Sequence, residues 1–257
     1  VTRRVALVTG SARGIGRAIL ERLAVDHDCV VHGRRDVDAA QEVARIAGAA
    51  GARTLVVTAD LADPDQVADL ADQALARFGR VDTLVANAAS TVFRPLAGLA
   101  ARHSRTTFAT VVDSLVELVH RTAPVMRPGG RLLTIGGLDA RFAQAGHGLL
   151  GGAKAALEAL TRSWAVELGP QGVTANTIVP GPVRTDSLEI YLDGREDVRR
   201  LLVDHTPVGR LCTPADIADV AAFLVSPAGG MISGQVITVD GGISAQGGPW
   251  GAMRELW

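Results

Sequence analysis

The chain has 257 residues, 47% of them hydrophobic, and a formal net charge of −1. That length can bury one large core or two small ones, and the charge balance gives no electrostatic case for a nucleic-acid partner or an anionic membrane surface. The two cysteines, Cys29 and Cys212, are far apart without metal-ligand spacing, and read as reduced thiols of a cytosolic protein.

In chain order, VTRRVALVTG runs straight into a strand pattern and shows no signal-peptide pattern. No apolar run reaches the roughly 18 residues that span a bilayer, so a cytoplasmic location is expected. The strand candidates are RVALVT, CVVHG, RTLVVTAD, VDTLVAN, GRLLTIG, VTANTIVP and GQVITVD. Helical patterns fall between them at 14–24, 36–50, 64–78, a long one near 104–126, 150–168 and 213–225. Asp63-Pro64 and Thr213-Pro214 each place a capping side chain before a proline at the first helical position. Continuous apolar strands alternating with helices predict an α/β fold, a doubly wound seven-stranded parallel sheet with helices on both faces. No repeat or linker-like tract interrupts the chain, so a single domain over 1–257 is expected. The polar stretch 184–208 is expected to form a substrate lid, and the tail SAQGGPWGAMRELW is Gly-rich, then aromatic.

VALVTGSARGIGRAI sets Gly10, Gly14 and Gly16, with Ile15 between the last two, at a strand-to-helix turn. Glycines there permit a tight turn and close approach of the backbone to a pyrophosphate at a helix N-terminus. An acid at the end of the second strand would bind the 2′-hydroxyl of NAD. Here that strand ends VVHGRRD, with Gly33, Arg34 and Arg35 where the acid would fall, and Arg13 lies in the glycine turn. Guanidinium groups hold a 2′-phosphate by forked, charge-assisted hydrogen bonds. NADPH is therefore the expected cofactor, with Arg13 and Arg34 on the phosphate; the plainer alternative is that these arginines are only solvated.

The Gly-x-x-x-Gly-x-Gly spacing, together with Thr9, resembles the short-chain dehydrogenase/reductase family, and the resemblance covers nearly the whole chain. Asp60 and Leu61 in TADLAD match the position near the adenine. Asn87 to Ala89 resembles the family's Asn-Ala-Gly motif, with alanine for glycine. Pro180 to Thr185 resembles the segment that holds the nicotinamide carboxamide, implicating Pro180, Gly181, Val183 and Thr185. SGQVITVDGG matches the last strand and its turn. The resemblance implies a Rossmann fold, an oxidoreductase of the CH-OH donor class, a small-molecule substrate, and a homodimer or homotetramer paired through the helix at 150–168.

The same resemblance exposes what is missing. The family transfers hydride with a Tyr-x-x-x-Lys pair, a serine about thirteen residues earlier and an asparagine on the long helix. Lys154, the single lysine among 26 basic residues, matches the lysine and is expected to hold the nicotinamide ribose. Leu150 stands at the tyrosine position, Gly137 at the serine position, and Val111 near the asparagine position. Leucine offers neither donor nor acceptor. Replacement donors or substrate contacts are sought at Ser90, Thr91, His147, Tyr191 and His205, each of which also has an ordinary structural explanation. A phenol on the substrate is a further donor, with a pKa of about 10. Three readings stay open: a ketoreductase with another proton source, an NADPH-binding sensor without chemistry, and a lyase, cyclase or isomerase reusing the pocket. The departure resembles the atypical ketoreductases that tailor aromatic polyketide antibiotics, which implies an aromatic, angucyclinone-type ketone with neighbouring phenols and substrate-assisted protonation. No metal is expected.

Overall fold

The computed structural model describes residues 3–246; the aromatic end of the tail, 247–257, lies outside them. Seven strands form one parallel sheet: β1 Arg4–Val8, β2 His27–Gly33, β3 Thr54–Thr58, β4 Thr83–Ala86, β5 Arg131–Ile135, β6 Thr174–Pro180 and β7 Val236–Val239. Their spatial order is β3-β2-β1-β4-β5-β6-β7. The order reverses between β1 and β4, where Ala6 pairs with Thr83 and Val8 with Val85. Such a reversal opens a crevice at the carboxyl ends of the strands.

Period-2 alternation splits the core between the two faces. Val5 and Leu7 of β1 pack with Leu70, Leu115 and Leu157. Those three come from α3 Pro64–Phe78, α5 Ser114–Thr122 and α6 Gly148–Glu167. Ala6 and Val8 face the other way, onto Ile19, Leu20 and Ile217. These belong to α1 Gly14–Leu23 and α9 Pro214–Val225; α2 Val37–Ala49 covers the same face. Burial on both faces is why the strands read as unbroken apolar runs.

Local chemistry sets the helix ends. Asp63 accepts hydrogen bonds from Asp65 N and Gln66 N at the start of α3, and Gly79, at φ +70°, ends it. Thr213 and Asp216 form a capping box at α9.

Three segments differ from the sequence expectation. β2 starts at His27, two residues before CVVHG, because His27 and Asp28 are buried with partners: Asp28 accepts from Arg53 and His27 contacts Asp26 and Thr83. The long helix expected near 104–126 is broken into α4 Ala101–Phe108, a π turn Ala109–Asp113, and α5. The polar segment 184–208 holds two helices, α7 Asp186–Tyr191 and α8 Glu196–Asp204. Among the described residues no helix is long and apolar enough to cross a membrane.

Candidate functional site

The turn from β1 into α1 is held from three sides. Gly10 and Gly14 adopt φ +65° and +58°, the left-handed region that glycine enters without steric cost. A Cβ on Gly16 would lie 2.5 Å from both Asn87 Nδ2 and Gly10 O, so only glycine lets α1 approach β4 this closely. Thr9 Oγ1 accepts from Asn87 N at 3.0 Å and Ala88 N at 3.1 Å. Asn87 Nδ2 donates back to Thr9 O at 3.0 Å and Gly10 O at 3.3 Å. Asn87 thus spends its side-chain donors on fastening the turn.

His32 completes the clamp, and the sequence reading did not single it out. Gly10 N donates to His32 Nδ1 at 2.9 Å, while Nε2 lies 3.1 Å from Ala59 O. Only the neutral ring, protonated on Nε2, satisfies both contacts. Burial lowers the His32 pKa in keeping with that form. The available signal was a polar residue inside an otherwise apolar strand, one turn from the arginine pair.

A cleft of about 610 Å³ opens at the reversal of the sheet. Gly10, Arg13, Gly14 and Ile15 form its floor, and Arg34, Asp60 and Leu61 close the end beyond β2. Asn87, Ser90, Thr110 and Thr185 line the side beyond β4. Arg34 places Nε at 3.0 Å and Nη2 at 2.7 Å from the same Asp60 oxygen. That fork uses two of five guanidinium donors and leaves the opposite edge for an anion. Among the described residues Arg13 and Arg35, which also line this end, make no ion pair. A glycine floor without side chains and three guanidiniums at one end fit a dinucleotide carrying a 2′-phosphate.

Pro180, Gly181 and Val183 shape the far wall without lining the cleft. Pro180 ends β6, a Cβ on Gly181 would lie 2.8 Å from Asp240 Cα, and Val183 bridges to Cys212. Thr185 caps α7 through its hydroxyl and turns its methyl toward Gly14.

Lys154, in the second turn of α6, is 5% exposed, and its Nζ donates to Ile135 O. Burial pulls its pKa down from 10.5 to about 8, against the opposing pull of Asp139. Leu150, one turn earlier, is half-buried against the apolar cluster that contains Val111. Val111 lies in the π turn and faces the core, while its neighbour Thr110 lines the cleft and accepts from Ser114 Oγ at 2.7 Å. π turns inside helices concentrate at functional sites. At Gly137 the space for a side chain is taken: a Cβ there would overlap Asp139 Oδ1. Val111, Gly137 and Leu150 thus present no side-chain donor or acceptor.

His147 and Tyr191 come together with a third ring. Phe93 lies 4.4 Å from His147 and 6.2 Å from Tyr191 between ring centroids, and His147 and Tyr191 are 6.0 Å apart. The three rings come from the loop after β4, the residue before α6, and the last residue of α7. Arg195 stacks over the Tyr191 ring at 5.4 Å. His147 Nδ1 lies 3.6 Å from Asp139 Oδ2. The other sequence candidates stand apart: Thr91 accepts from Thr107 Oγ1, and His205 bonds Leu201 O on exposed α8. Among the described residues no group of three or more His, Cys, Asp or Glu side chains is placed to hold a metal ion.

Comparison with known proteins places this arrangement. Residues 10–244 match the family model described as enoyl-(acyl carrier protein) reductase. The chain is 33% identical to 1-cyclohexenylcarbonyl-CoA reductase of Streptomyces collinus, over 96% of this chain and 89% of that protein. It is 33% identical to hydroxynaphthalene reductase-like protein Arp2 of Metarhizium robertsii, over 94% of this chain and 95% of that one. A solved short-chain dehydrogenase from Burkholderia cenocepacia, in complex with NADP, superposes with a TM-score of 0.87 at 34% identity, covering 94% of this chain and 98% of the other. A family model matching residues 10–244 and relatives at 33–34% identity over nearly the whole chain show that it belongs to the short-chain dehydrogenase/reductase family of oxidoreductases.

Proposed function

We propose that the protein is an NADPH-dependent ketoreductase acting on a bulky, phenolic, polycyclic ketone of the angucyclinone type, in the tailoring of an aromatic polyketide antibiotic. The observation that carries this reading is the partly exposed aromatic cluster of Phe93, His147 and Tyr191, together with positions 137 and 150 that offer no donor. Stacked rings favour a flat aromatic ligand, and a site without its own acid favours a substrate that brings one. The resemblance to the simocyclinone 7-ketoreductase supports the same substrate class, and the hydroxynaphthalene reductase-like relative is compatible with a phenolic ring ketone.

In this reading Arg13 and Arg34 take the 2′-phosphate, Lys154 holds the nicotinamide ribose, and Val183 and Thr185 hold the carboxamide. The bound cofactor supplies hydride to the ketone carbon. A phenol beside the ketone donates its proton to the oxygen, at the high effective concentration of an intramolecular acid. The chain acts as a single domain with 184–208 as its lid. It works in the cytoplasm as a homodimer or homotetramer paired through α6.

The test is NADPH oxidation with a panel of phenolic polycyclic ketones. Turnover supports the ketoreductase. Tight NADPH binding without turnover on any member sinks it in favour of a sensor. A second reading, reduction of a conjugated carbon–carbon double bond, is favoured by the names of the matched family model and of the Streptomyces relative. An α,β-unsaturated thioester belongs in the same panel, and its selective turnover would establish that second reading.

A further inference from the structure

We propose that His32 is a positioning residue for the dinucleotide: its neutral imidazole holds the glycine turn in the shape that receives the pyrophosphate, and the imidazolium opens the turn and releases the cofactor. This role is independent of which substrate the protein reduces.

His32 is the next-to-last residue of β2, 2% exposed, and it borders the nucleotide cleft. Every polar group it has is committed. Its N donates to Ser11 Oγ at 3.0 Å, and its O accepts from Ser11 N at 2.9 Å. Nδ1 accepts from Gly10 N at 2.9 Å, and Nε2 reaches Ala59 O at 3.1 Å. One residue therefore ties the segments after β1 and β3 together across β2, at the edge of the sheet where the cleft opens.

The peptide between Thr9 and Gly10 shows why the ring must be neutral. Its C=O and N–H point in opposite directions from one rigid plane. The C=O accepts from Asn87 Nδ2 at 3.0 Å, on the β4 side, and the N–H donates to His32 Nδ1, on the β2 side. The plane is gripped at both ends, so the N–H cannot turn away while Asn87 stays bonded. Gly10 itself holds φ +65°, and a Cβ there would lie 3.1 Å from Ala88 Cα. An imidazolium carries hydrogen on both ring nitrogens. Its Nδ1–H would face the Gly10 N–H at 2.9 Å, donor against donor. Protonation must therefore break this bond and free the peptide that leads into α1. The N–H groups at the start of that helix, which receive a phosphate, then lose their fixed approach.

The charged groups near the ring come from three segments. Arg13 lies on the turn after β1, Arg34, Arg35 and Asp36 follow β2, and Asp60 follows Ala59. Asp60 draws the ring toward the imidazolium, but its carboxylate is forked to Arg34. Burial works the other way and prevails, lowering the His32 pKa from the ordinary 6.5. At pH above 6.5 the ring is neutral and the turn is closed. As pH falls below that value the free protein takes up a proton on His32, whereas the cofactor-bound protein must keep the ring neutral. Affinity thus declines in acid, by at most about tenfold per pH unit for one proton.

The experiment titrates NADH and NADPH into wild type, His32→Asn and His32→Gln between about pH 5 and 8, and follows the unfolding midpoint of the unliganded proteins. NADH is the decisive probe, because it lacks the 2′-phosphate, whose own second ionisation falls at about pH 6. The Asn amide oxygen replaces Nδ1 as acceptor for Gly10 N and does not titrate. The Gln amide reaches the Ala59 end and leaves Gly10 N unpaired. Wild-type NADH affinity should fall below pH 6.5. His32→Asn should bind NADH as wild type does at neutral pH, with a flat profile. His32→Gln should bind both cofactors about tenfold more weakly at every pH, as expected for one buried donor left unpaired. His27, at the opposite end of β2, also resists protonation, but it stays in all three proteins and its contribution is common to them. A flat wild-type NADH profile, or an acid limb that persists in His32→Asn, overturns the proposal. An affinity that rises in acid overturns it too, because the imidazolium would then attract the phosphates from within a closed turn. If His32→Asn and His32→Gln bind alike, with midpoints lowered alike, the ring serves the core alone and the proposal fails.

Discussion

The Asp139 carboxylate occupies the space that any side chain on Gly137 would need. The space beside Gly137 is thus filled by a neighbour two residues on, and under the proposed reading the absence of a serine there leaves no vacancy in the fold. Restoring the family pattern with Gly137→Ser and Leu150→Tyr should therefore not raise turnover of the natural ketone. The serine must swing the Asp139 carboxylate, the free end of a short side chain, out of this space. Thermal unfolding of Gly137→Ser should show a lowered midpoint, partly recovered when Asp139→Ala is added in the same chain. A large gain in turnover from the two restoring substitutions would show that the pocket lacks a donor and that the substrate supplies none.

In the proposed reading Arg34 and its partner Asp60 set the cofactor preference together. NADPH should bind at least about tenfold tighter than NADH, a difference of about 1.4 kcal/mol, since charge-assisted hydrogen bonds are worth about 1.5–3 kcal/mol. Arg34→Ala should erase most of that preference. Asp60→Asn should increase it, because the substitution frees the Arg34 fork and removes a negative charge from the phosphate end. Fluorescence titration with both cofactors checks this; an unchanged ratio in Arg34→Ala would remove the arginine from the phosphate site.

Much of the architecture was legible because it is written locally. The apolar strands, the Asp63-Pro64 start of α3 and the glycine turn each depend on residues adjacent in sequence. The start of β2 was not legible, since His27 and Asp28 are polar residues whose partners, Thr83 and Arg53, lie on other segments. The empty positions 137 and 150 could be counted from Lys154, but their filling could not. The overlap of Asp139 Oδ1 with any Cβ on Gly137 follows from the conformation of the turn 138–140, which no sequence pattern announces. His32 escaped notice likewise, because its roles as acceptor for Gly10 and donor to Ala59 join three strand ends.

Lys154 predicts a pH dependence with a definite sign. Its pKa in the folded protein is about 8 against an ordinary 10.5. Between those values the unfolded chain holds a proton that the folded chain has released, so this group makes stability rise with pH across that window. Stability from this source is lost as pH falls through about 8. In the proposed binding mode a cofactor brings negative charge and ribose oxygens beside the amine and favours its charged form. NADPH binding near pH 8.5 should therefore take up a proton, and affinity should decline above about 8. Calorimetry in two buffers of different ionisation enthalpy measures the uptake. Equal uptake by Lys154→Met would show that another group titrates.

Tyr191 separates the two functions a tyrosine can serve, ring and hydroxyl. Its ring joins the aromatic cluster from α7, 6.2 Å from Phe93 and 6.0 Å from His147, with Arg195 stacked on it. If the cluster recognises a flat substrate, Phe93→Ala and Tyr191→Ala should each raise KM for a polycyclic ketone several-fold, since an aromatic pair is worth about 0.5–1.5 kcal/mol beyond buried area. NADPH affinity should not change, because neither ring lines the nucleotide cleft. Tyr191→Phe keeps the ring and removes the hydroxyl, so it should retain near wild-type kcat and KM. Position 150, where the proposed reading puts the family's tyrosine, lies on the helix that carries Lys154, whereas Tyr191 ends α7 and is 39% exposed to solvent. Should Tyr191→Phe abolish turnover while Tyr191→Ala leaves KM unchanged, the hydroxyl is the proton donor, the lid has replaced the lost catalytic tyrosine, and the substrate need bring no phenol of its own.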